Sequence, residues 1–411
     1  MKILFKIIIL IFLFNVPCNS QWISQVSGTP RHLLGLDVVD SNIIYCAGEL
    51  GANVKTTNGG LNWFSIPPPV VDDYADCSFL NANTGLFMGP PGQLIRTTDG
   101  GATWSVRSHP LSGGTGVQFV NERWAYACGA FGVIRSTDGG LNWLLSHTFS
   151  NGIANLFFTD TLIGTVVGSQ GFIATTTDGG VNWIQRKMNL PVQFGDSTLF
   201  SVQFINNLTG FSSGNNGIVI KTSNAGINWQ YIPLGISIAA SVGVYFINST
   251  TGYTVSNGGR IFRTSNGGSN WNQLPSGVSD PLDDIEFINA NTGWIAGFNG
   301  RILKTTNGGV TFINPISTEV PSNFKLEQNY PNPFNPETRI RFSIPEISRN
   351  EKVNISIYNS LGSEVATVVN DNLSPGTYET SWNGEGFPSG VYYYLLTTSS
   401  YKETKKMILL K

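Results

Sequence analysis

An eight-residue segment recurs seven times along the chain and limits its possible folds more than any other feature. Each copy has two hydroxyl residues, an Asp or Asn, two small residues and, after two further residues, an aromatic residue. Successive copies are 39 to 46 residues apart. A period near forty residues is typical of one four-stranded propeller blade. The sequence therefore predicts an all-β fold with a seven-bladed β-propeller, whose copies begin at Thr56, Thr97, Ser136, Thr176, Thr222, Thr264 and Thr305.

The chemistry of the repeat predicts a tight turn. An Asp or Asn side chain can accept backbone N–H bonds from the residues ahead of it, and the Gly pair can supply positive φ angles. The aromatic residue then begins the outgoing strand and can bury a large face. Because Asn cannot replace a catalytic carboxylate, we predict a structural role for this position, which holds Asn58, Asp99, Asp138, Asp178, Asn224, Asn266 and Asn307.

The residues of each repeating unit outside the eight-residue segment also have the pattern expected for one propeller blade. Apolar strands such as VQFIN and IEFIN precede a second strand, a Gly-rich four-residue turn and a third strand that leads into the repeat. Seven such sets exist, but eight segments qualify as a fourth strand, and the extra one is residues 22–25. We predict that it completes the last blade, where Phe312 replaces Trp, and so removes an exposed sheet edge.

The repeat resembles the Asp-box, or bacterial neuraminidase repeat. Residues 22–315 resemble propellers related to photosystem II stability/assembly factors, and we assign residues 21–315 to the propeller. The resemblance implies the fold. A photosystem role is not expected, because the C-terminal part of the chain points to export and fold similarity does not carry function.

Residues 1–20 have the composition of a signal peptide. Lys2 and Lys6 accompany an apolar run over residues 3–14, which is too short for a membrane span. Cleavage after Ser20 would leave Gln21 as the first residue, and lipidation of Cys18 is the alternative. We expect no transmembrane helix in the mature chain.

The cysteine content and the net charge indicate the role of the thiols and limit the class of partner. The mature chain has three cysteines, Cys46, Cys77 and Cys128, which we expect to be small buried side chains, with one disulfide as the alternative. The formal net charge is −2, and no run of basic residues occurs before the last ten positions. We therefore expect no nucleic-acid partner.

Beyond residue 315 the repeat ends and the composition of the sequence changes. A short linker at 316–324 precedes a proline-rich stretch and several segments of alternating polarity, which predict a small Ig-like antiparallel β-sandwich at 325–411. The segments NYPNPFNP, RIRFSIP, SLGSEVATVV, PSGVYYYLL and KKMILLK resemble the type A sorting domain of the type IX secretion system. The resemblance implies that residues 325–411 engage that machinery, and that the protein is secreted or held at the outer-membrane surface. An ordinary Ig-like adhesion module is the alternative.

The candidate ligand-binding residues lie in the loops that lead into the innermost strands, on the face opposite the repeats. Asp76 and Asp284 occupy equivalent positions with one blade between them. Such carboxylates could be solvated loop residues, could contact a ligand or a cation, or could act as acid and base on a glycosidic bond. The full set is Asp72, Asp73, Asp76, Asp196, Asp280, Asp283 and Asp284.

Two functions remain open from the sequence. The first is a non-catalytic binding module for an extracellular glycan or protein, in which Phe131 and Phe298 at turn tips, with Asn215, Asn216 and Asn299, could contact sugars. The second is a glycoside hydrolase that uses Asp76 and Asp284. The three histidines lack metal-site spacing and no cofactor motif is present, so we assign no catalytic residue, metal or cofactor.

Overall fold

The computed structural model describes residues 22–186, 188–189, 197–234, 240–309, 314–317, 319–346, 351–384 and 387–410. The predicted signal peptide lies outside these ranges. Among the described residues, no helix has the length and hydrophobicity needed to cross a membrane. The regular structure consists of strands and a few short 3₁₀ turns, in agreement with the predicted all-β class.

Seven antiparallel sheets succeed one another along residues 22–309, as predicted for a seven-bladed propeller. One strand, β1 (Ile23–Val26), precedes the first complete blade. The first blade contains β2 (Leu33–Val38), β3 (Ile44–Gly48), β4 (Val54–Thr56) and β5 (Phe64–Ser65). The second contains β6 (Asp76–Phe79), β7 (Gly85–Met88), β8 (Gln93–Thr97) and β9 (Ser105–Ser108). The third contains β10 (Gly116–Phe119), β11 (Ala125–Gly129), β12 (Gly132–Ser136) and β13 (Leu144–Thr148).

The later blades follow the same order from the axis outwards. The fifth has an additional short strand, β18, parallel to its outermost strand. The fourth blade contains β14 (Ile153–Phe158), β15 (Gly164–Gly168), β16 (Ile173–Thr176) and β17 (Ile184–Arg186), and the fifth contains β18 (Met188–Asn189), β19 (Leu199–Phe204), β20 (Gly210–Gly214), β21 (Ile218–Thr222) and β22 (Trp229–Ile232). The sixth blade contains β23 (Ser241–Phe246), β24 (Gly252–Ser256), β25 (Arg260–Thr264) and β26 (Asn272–Leu274). The seventh contains β27 (Leu282–Phe287), β28 (Gly293–Gly297) and β29 (Arg301–Thr305), together with β1.

The N-terminal strand closes the ring. β1 pairs antiparallel with β29, from Ile23 opposite Lys304 to Val26 opposite Arg301, and supplies the fourth strand of the seventh blade. Trp22, just before it, is 2% exposed and meets the rings of Tyr253 and Phe287 edge-on. The predicted closure is confirmed, and β29 is paired along both of its edges.

The repeat forms the same turn in every blade. In the first copy, the Thr56 hydroxyl donates to Asn58 Oδ1 at 2.9 Å and accepts the N–H groups of Asn58 and Gly60. Asn58 Oδ1 also accepts the N–H of Asn62 at 2.9 Å. The Gly pair has positive φ, except that Ala225 replaces the first Gly in the fifth copy and adopts φ 60°.

The inner glycines have a packing role as well. The aromatic residue that ends an inner strand lies over the glycine that begins the next strand, as Phe158 does over Gly164 and Phe246 over Gly252. A Cβ at either glycine would overlap the ring. The spacing between Phe and Gly in each unit therefore follows from side-chain packing as well as from turn geometry.

The C-terminal region forms two four-stranded antiparallel sheets around a shared apolar core. The first sheet contains β30 (Asn314–Ser317), β31 (Lys325–Leu326), β32 (Glu337–Ile344) and β35 (Gly376–Asn383), and the second contains β33 (Glu351–Tyr358), β34 (Glu364–Leu373), β36 (Gly390–Thr397) and β37 (Lys402–Leu409).

The junction between the two parts differs from the sequence-based expectation. β30 pairs with β35, with Pro315 opposite Tyr378 and Ser317 opposite Thr377. β30 therefore extends a sheet of the sandwich across the predicted domain boundary at residue 315 and into the predicted linker 316–324. Ile23 and Thr306 share a small cavity with Val368 and Trp382, so the sandwich lies on the Asp-box side of the propeller.

Candidate functional site

The seven inner strands surround an axial channel that opens on the face opposite the Asp-boxes, here called the top face. Its upper part, the channel mouth, is a cavity of about 450 Å³. A second cavity of about 420 Å³ lies lower in the channel. The channel mouth is lined by Leu34, Ala75, Thr115, Gly152, Ile153, Ala154, Ser169, Thr198, Phe200, Val242 and Asp283.

The channel mouth is apolar with one charged side chain. Leu34, Ile153, Phe200 and Val242 come from four different blades and present hydrocarbon to the cavity. Among the lining residues, Asp283 alone carries a charge. A concave, mainly apolar surface with a few polar groups is typical of a binding site.

Asp283 is held by a histidine from the neighbouring blade. Its Oδ2 lies 2.7 Å from His32 Nε2, while His32 Nδ1 lies 3.3 Å from Glu49 Oε1. Burial lowers the pKa of His32, but the hydrogen bonds and charges of Asp283 and Glu49 outweigh it and raise that pKa overall. The imidazole also lies against the ring of Phe298, 4.7 Å between centroids.

Lower in the channel, side chains of one blade bond to the backbone of the next. Gln118 Oε1 accepts the Phe158 N–H at 2.7 Å and its Nε2 donates to the Phe158 carbonyl at 3.1 Å. Gln203 makes the same pair of bonds to Phe246. The equivalent Glu286 makes a single bond, accepting the Val38 N–H at 2.6 Å through Oε2.

Four acidic groups line or border this lower channel where blades seven, one and two meet. Burial raises the pKa of Asp37 to about 7 and that of Asp284 to about 6. Burial likewise raises the pKa of Asp76 and Glu286 well above the usual range, and neighbouring carboxylates add to the effect. No group of three His, Cys, Asp or Glu side chains in the described ranges is arranged to hold a metal ion.

Asp76 and Asp284 occupy equivalent positions, as the sequence suggested, but their oxygens are engaged by the backbone. Asp76 accepts the N–H of Cys77 at 2.8 Å and of Val117 at 2.9 Å. Asp284 accepts the N–H of Ile285 and of Leu36, each at 2.9 Å. Each carboxylate thus joins two blades, which differs from the open acid–base pair of a glycosidase.

The other candidate aspartates have separate surroundings. Asp72 Oδ1 accepts the N–H of Asp73, and Asp73 Oδ1 accepts the N–H of Leu50 at 2.9 Å, so both order a top-face loop. Asp280 binds Arg301 and accepts a bond from Asn299 Nδ2. Asp196 lies outside the described residues.

The Asp-box acids make local contacts only. Hydrogen bonds from the Thr103 hydroxyl and backbone lower the pKa of Asp99 to about 2. At Asp138, burial opposes the shift, but bonds from Asn142 and Ser136 lower the pKa to about 2. The Asn at equivalent positions accepts the same backbone bonds, as Asn224 and Asn266 show.

Four residues of the site were not predicted from the sequence: His32, Glu49, Asp37 and Glu286. Alternation along β2 and β27 could have suggested Asp37 and Glu286, because they stand two positions beyond the bulge, like Gln203. His32 carries no such local signal, since its partner Asp283 is 251 residues away.

The three cysteines are buried and free of disulfides, which confirms the preferred interpretation. Burial raises the pKa of Cys46 and Cys77 well above the ordinary thiol value. These thiols therefore act as apolar side chains. Cys46 packs among residues of blades seven and one, and Cys77 among residues of blades one and two.

Two families match separate parts of the chain. Residues 145–280 match the family described as Photosynthesis system II assembly factor YCF48, and residues 328–410 match the Secretion system C-terminal sorting domain. No curated protein matches the sequence.

Solved structures share the propeller fold. A structure of YCF48 bound to D1 peptide is 19% identical over 70% of this chain and 97% of that chain, with a TM-score of 0.58. YCF48 from Cyanidioschyzon merolae is 18% identical over 69% of this chain and 98% of that chain, with a TM-score of 0.59. A Niastella koreensis GH74 enzyme is 16% identical over 93% of this chain and 74% of the enzyme, with a TM-score of 0.58. At these identities the likeness concerns the fold alone.

Proposed function

We propose that this chain, an Asp-box propeller joined to a type IX secretion sorting domain, is a binding module that works outside the cell without catalysis. The observation that carries the proposal is the channel mouth, a concave apolar cavity with Asp283 as its charged group. The mouth faces away from the sandwich, which lies on the Asp-box side. Export and ligand binding thus use opposite faces.

The sorting domain supports the location. Its match over residues 328–410 implies engagement with the secretion machinery and delivery to the cell surface or the medium. A signal peptide at 1–20 would carry the chain through the inner membrane first. We propose that the sandwich serves export and the propeller serves the ligand.

Binding fits the site better than catalysis. Asp76 and Asp284 each give both oxygens to backbone N–H groups, so a proton-transfer role would require breaking bonds between blades. The GH74 likeness is one of fold, and glycoside hydrolysis remains the alternative outcome of the test below.

A protein segment suits the channel mouth better than a sugar. Glycans need several hydrogen-bonding groups, whereas this wall is mainly hydrocarbon. YCF48 has been observed with a D1 peptide, which favours peptide binding by a similar propeller. On the same face, Leu50, Val71, Phe131 and Phe298 are exposed apolar side chains at loop tips.

The full chain would be immobilised and exposed to an array of unrelated peptides and to a panel of plant and microbial polysaccharides. Retention and reducing-end release would be measured together. Retention of a peptide or glycan without release supports the proposal. Release above background would establish an enzyme instead, and absence of retention across both panels would contradict a binding role for the top face.

A further inference from the structure

We infer that the channel mouth selects a protein segment in which an aliphatic side chain stands beside a Lys or Arg. This inference rests on the proposed function and adds the chemistry of the ligand. Two features of the site carry it: the apolar wall and the position of Asp283 at its edge.

The apolar wall provides the place for the aliphatic side chain. Leu34, Ile153, Phe200 and Val242 surround the cavity from four blades, and the small Ala75 and Ala154 leave its centre open. The Thr115 hydroxyl donates to the Ile153 carbonyl at 3.0 Å, so it is engaged with the wall. Burying a hydrocarbon side chain here would remove apolar surface from water on both partners.

Charge complementarity provides the place for the cation. Asp283 Oδ2 bonds to His32, while Oδ1 makes no hydrogen bond to any described residue. Glu49, Asp72 and Asp73 lie on the same side of the top face. Arg301 of the seventh blade is already paired with Asp280. An incoming ammonium or guanidinium group can therefore approach Asp283 Oδ1 while Oδ2 stays bonded to His32.

His32 adjusts the charge that this ligand meets. The charged groups that face it are Asp283 from β27 and Glu49 from the turn after β3, and the Phe298 ring covers its side. When His32 is protonated it offsets part of the negative charge, and when it loses its proton that offset is removed. Affinity for a cationic ligand is therefore expected to increase as pH rises from about 6 to 8.

The probes are three peptides with acetylated and amidated ends: Gly-Ser-Leu-Lys-Ser-Gly, the same peptide with Glu in place of Lys, and the same with Ser in place of Leu. Each would be titrated into the full chain by calorimetry at pH 6 and pH 8. We expect the Leu-Lys peptide to bind about tenfold tighter than the Glu version at pH 8, with a smaller preference at pH 6. The Ser version should bind more weakly than the Leu-Lys peptide at both values.

Three variants test whether the peptides bind at the channel mouth. Asp283→Asn keeps an acceptor for His32 but removes the charge, and should abolish the Lys-over-Glu preference. Ala154→Phe fills the cavity and should weaken all peptides. Glu122→Gln removes an exposed charge on the opposite face and should change neither property. Melting midpoints would show that each variant is folded.

Equal or tighter binding of the Glu peptide would overturn the inference, and so would a Lys preference that survives Asp283→Asn. If Ala154→Phe blocks other peptides that show no preference for Lys, the proposed binding function stands and the cation inference fails. Failure of every peptide and polysaccharide to bind would remove the proposed function as well.

Discussion

The substitution Glu286→Gln tests whether the channel acids limit the stability of the propeller. Glu286 makes one bond to Val38, whereas Gln118 and Gln203 at equivalent positions each make two bonds to the next blade. A Gln at 286 can accept from the Val38 N–H and donate to the Val38 carbonyl in the same geometry. It also removes a carboxylate that lies near Asp37 and Asp284.

The expected gain has two parts. One additional buried hydrogen bond contributes about 1 kcal/mol to the free energy of unfolding. The second part depends on pH, because burial raises the pKa of Glu286 in the folded protein. The native state therefore holds a proton that the unfolded chain releases, and stability falls as pH rises from the unfolded pKa towards the folded one. Removing the acid recovers about 1.4 kcal/mol per pH unit across that window.

The assay is thermal and denaturant unfolding of the full chain at pH 5 and pH 8, following the transition of the propeller. Glu286→Gln should be more stable than the parent at both values, with the larger gain at pH 8. Each kcal/mol corresponds to about 2 °C in melting midpoint for a domain of this size. The reverse change Gln203→Glu serves as the matched control and should destabilise more at pH 8. A gain at pH 5 that disappears at pH 8 would refute the reasoning.

Three further substitutions test the fold. Ala225→Gly should stabilise the protein by about 0.5–1 kcal/mol, because Ala225 holds φ 60°, and chemical denaturation would measure the gain. Trp22→Ala should cost about 3–5 kcal/mol and increase proteolysis at the ring closure, since Trp22 is 2% exposed; unchanged protease resistance would argue against closure by β1. Asp99→Asn should lower stability modestly at pH 7, because the amide nitrogen that replaces Oδ2 cannot accept the bond from the Thr103 hydroxyl. The lowered pKa of Asp99 means that its contribution is present above pH 4 and is lost as pH falls towards 2, so acid unfolding of this variant should show a smaller loss over that range than the parent.

Much of the fold could be predicted because the relevant interactions are short in sequence. The Asp-box bonds join residues two to four positions apart, as between Thr56, Asn58 and Gly60, so each turn is set by its own eight residues. Repetition of that turn gave the number of blades. The surplus strand at residues 22–25 then required a partner, and only the last blade lacked one.

The functional site depended on contacts that no local pattern contains. His32 meets Asp283 across 251 residues because ring closure places the first and seventh blades side by side. The extension of the C-terminal sheet by β30 is likewise a long-range pairing, and the linker prediction missed it.

The adjacent Asp283 and Asp284 show most clearly where sequence and tertiary structure divide. The sequence determined that acids stand at the start of the seventh inner strand. A register shift between Leu282 and Asp284 places a bulge there, which breaks the simple alternation of faces. The bulge leaves both side chains on the channel side. Asp283 lines the channel mouth, while Asp284 lines the lower cavity and accepts the Leu36 N–H of the next blade. Only the packing of neighbouring blades decides which carboxylate can meet a ligand and which one holds the ring together.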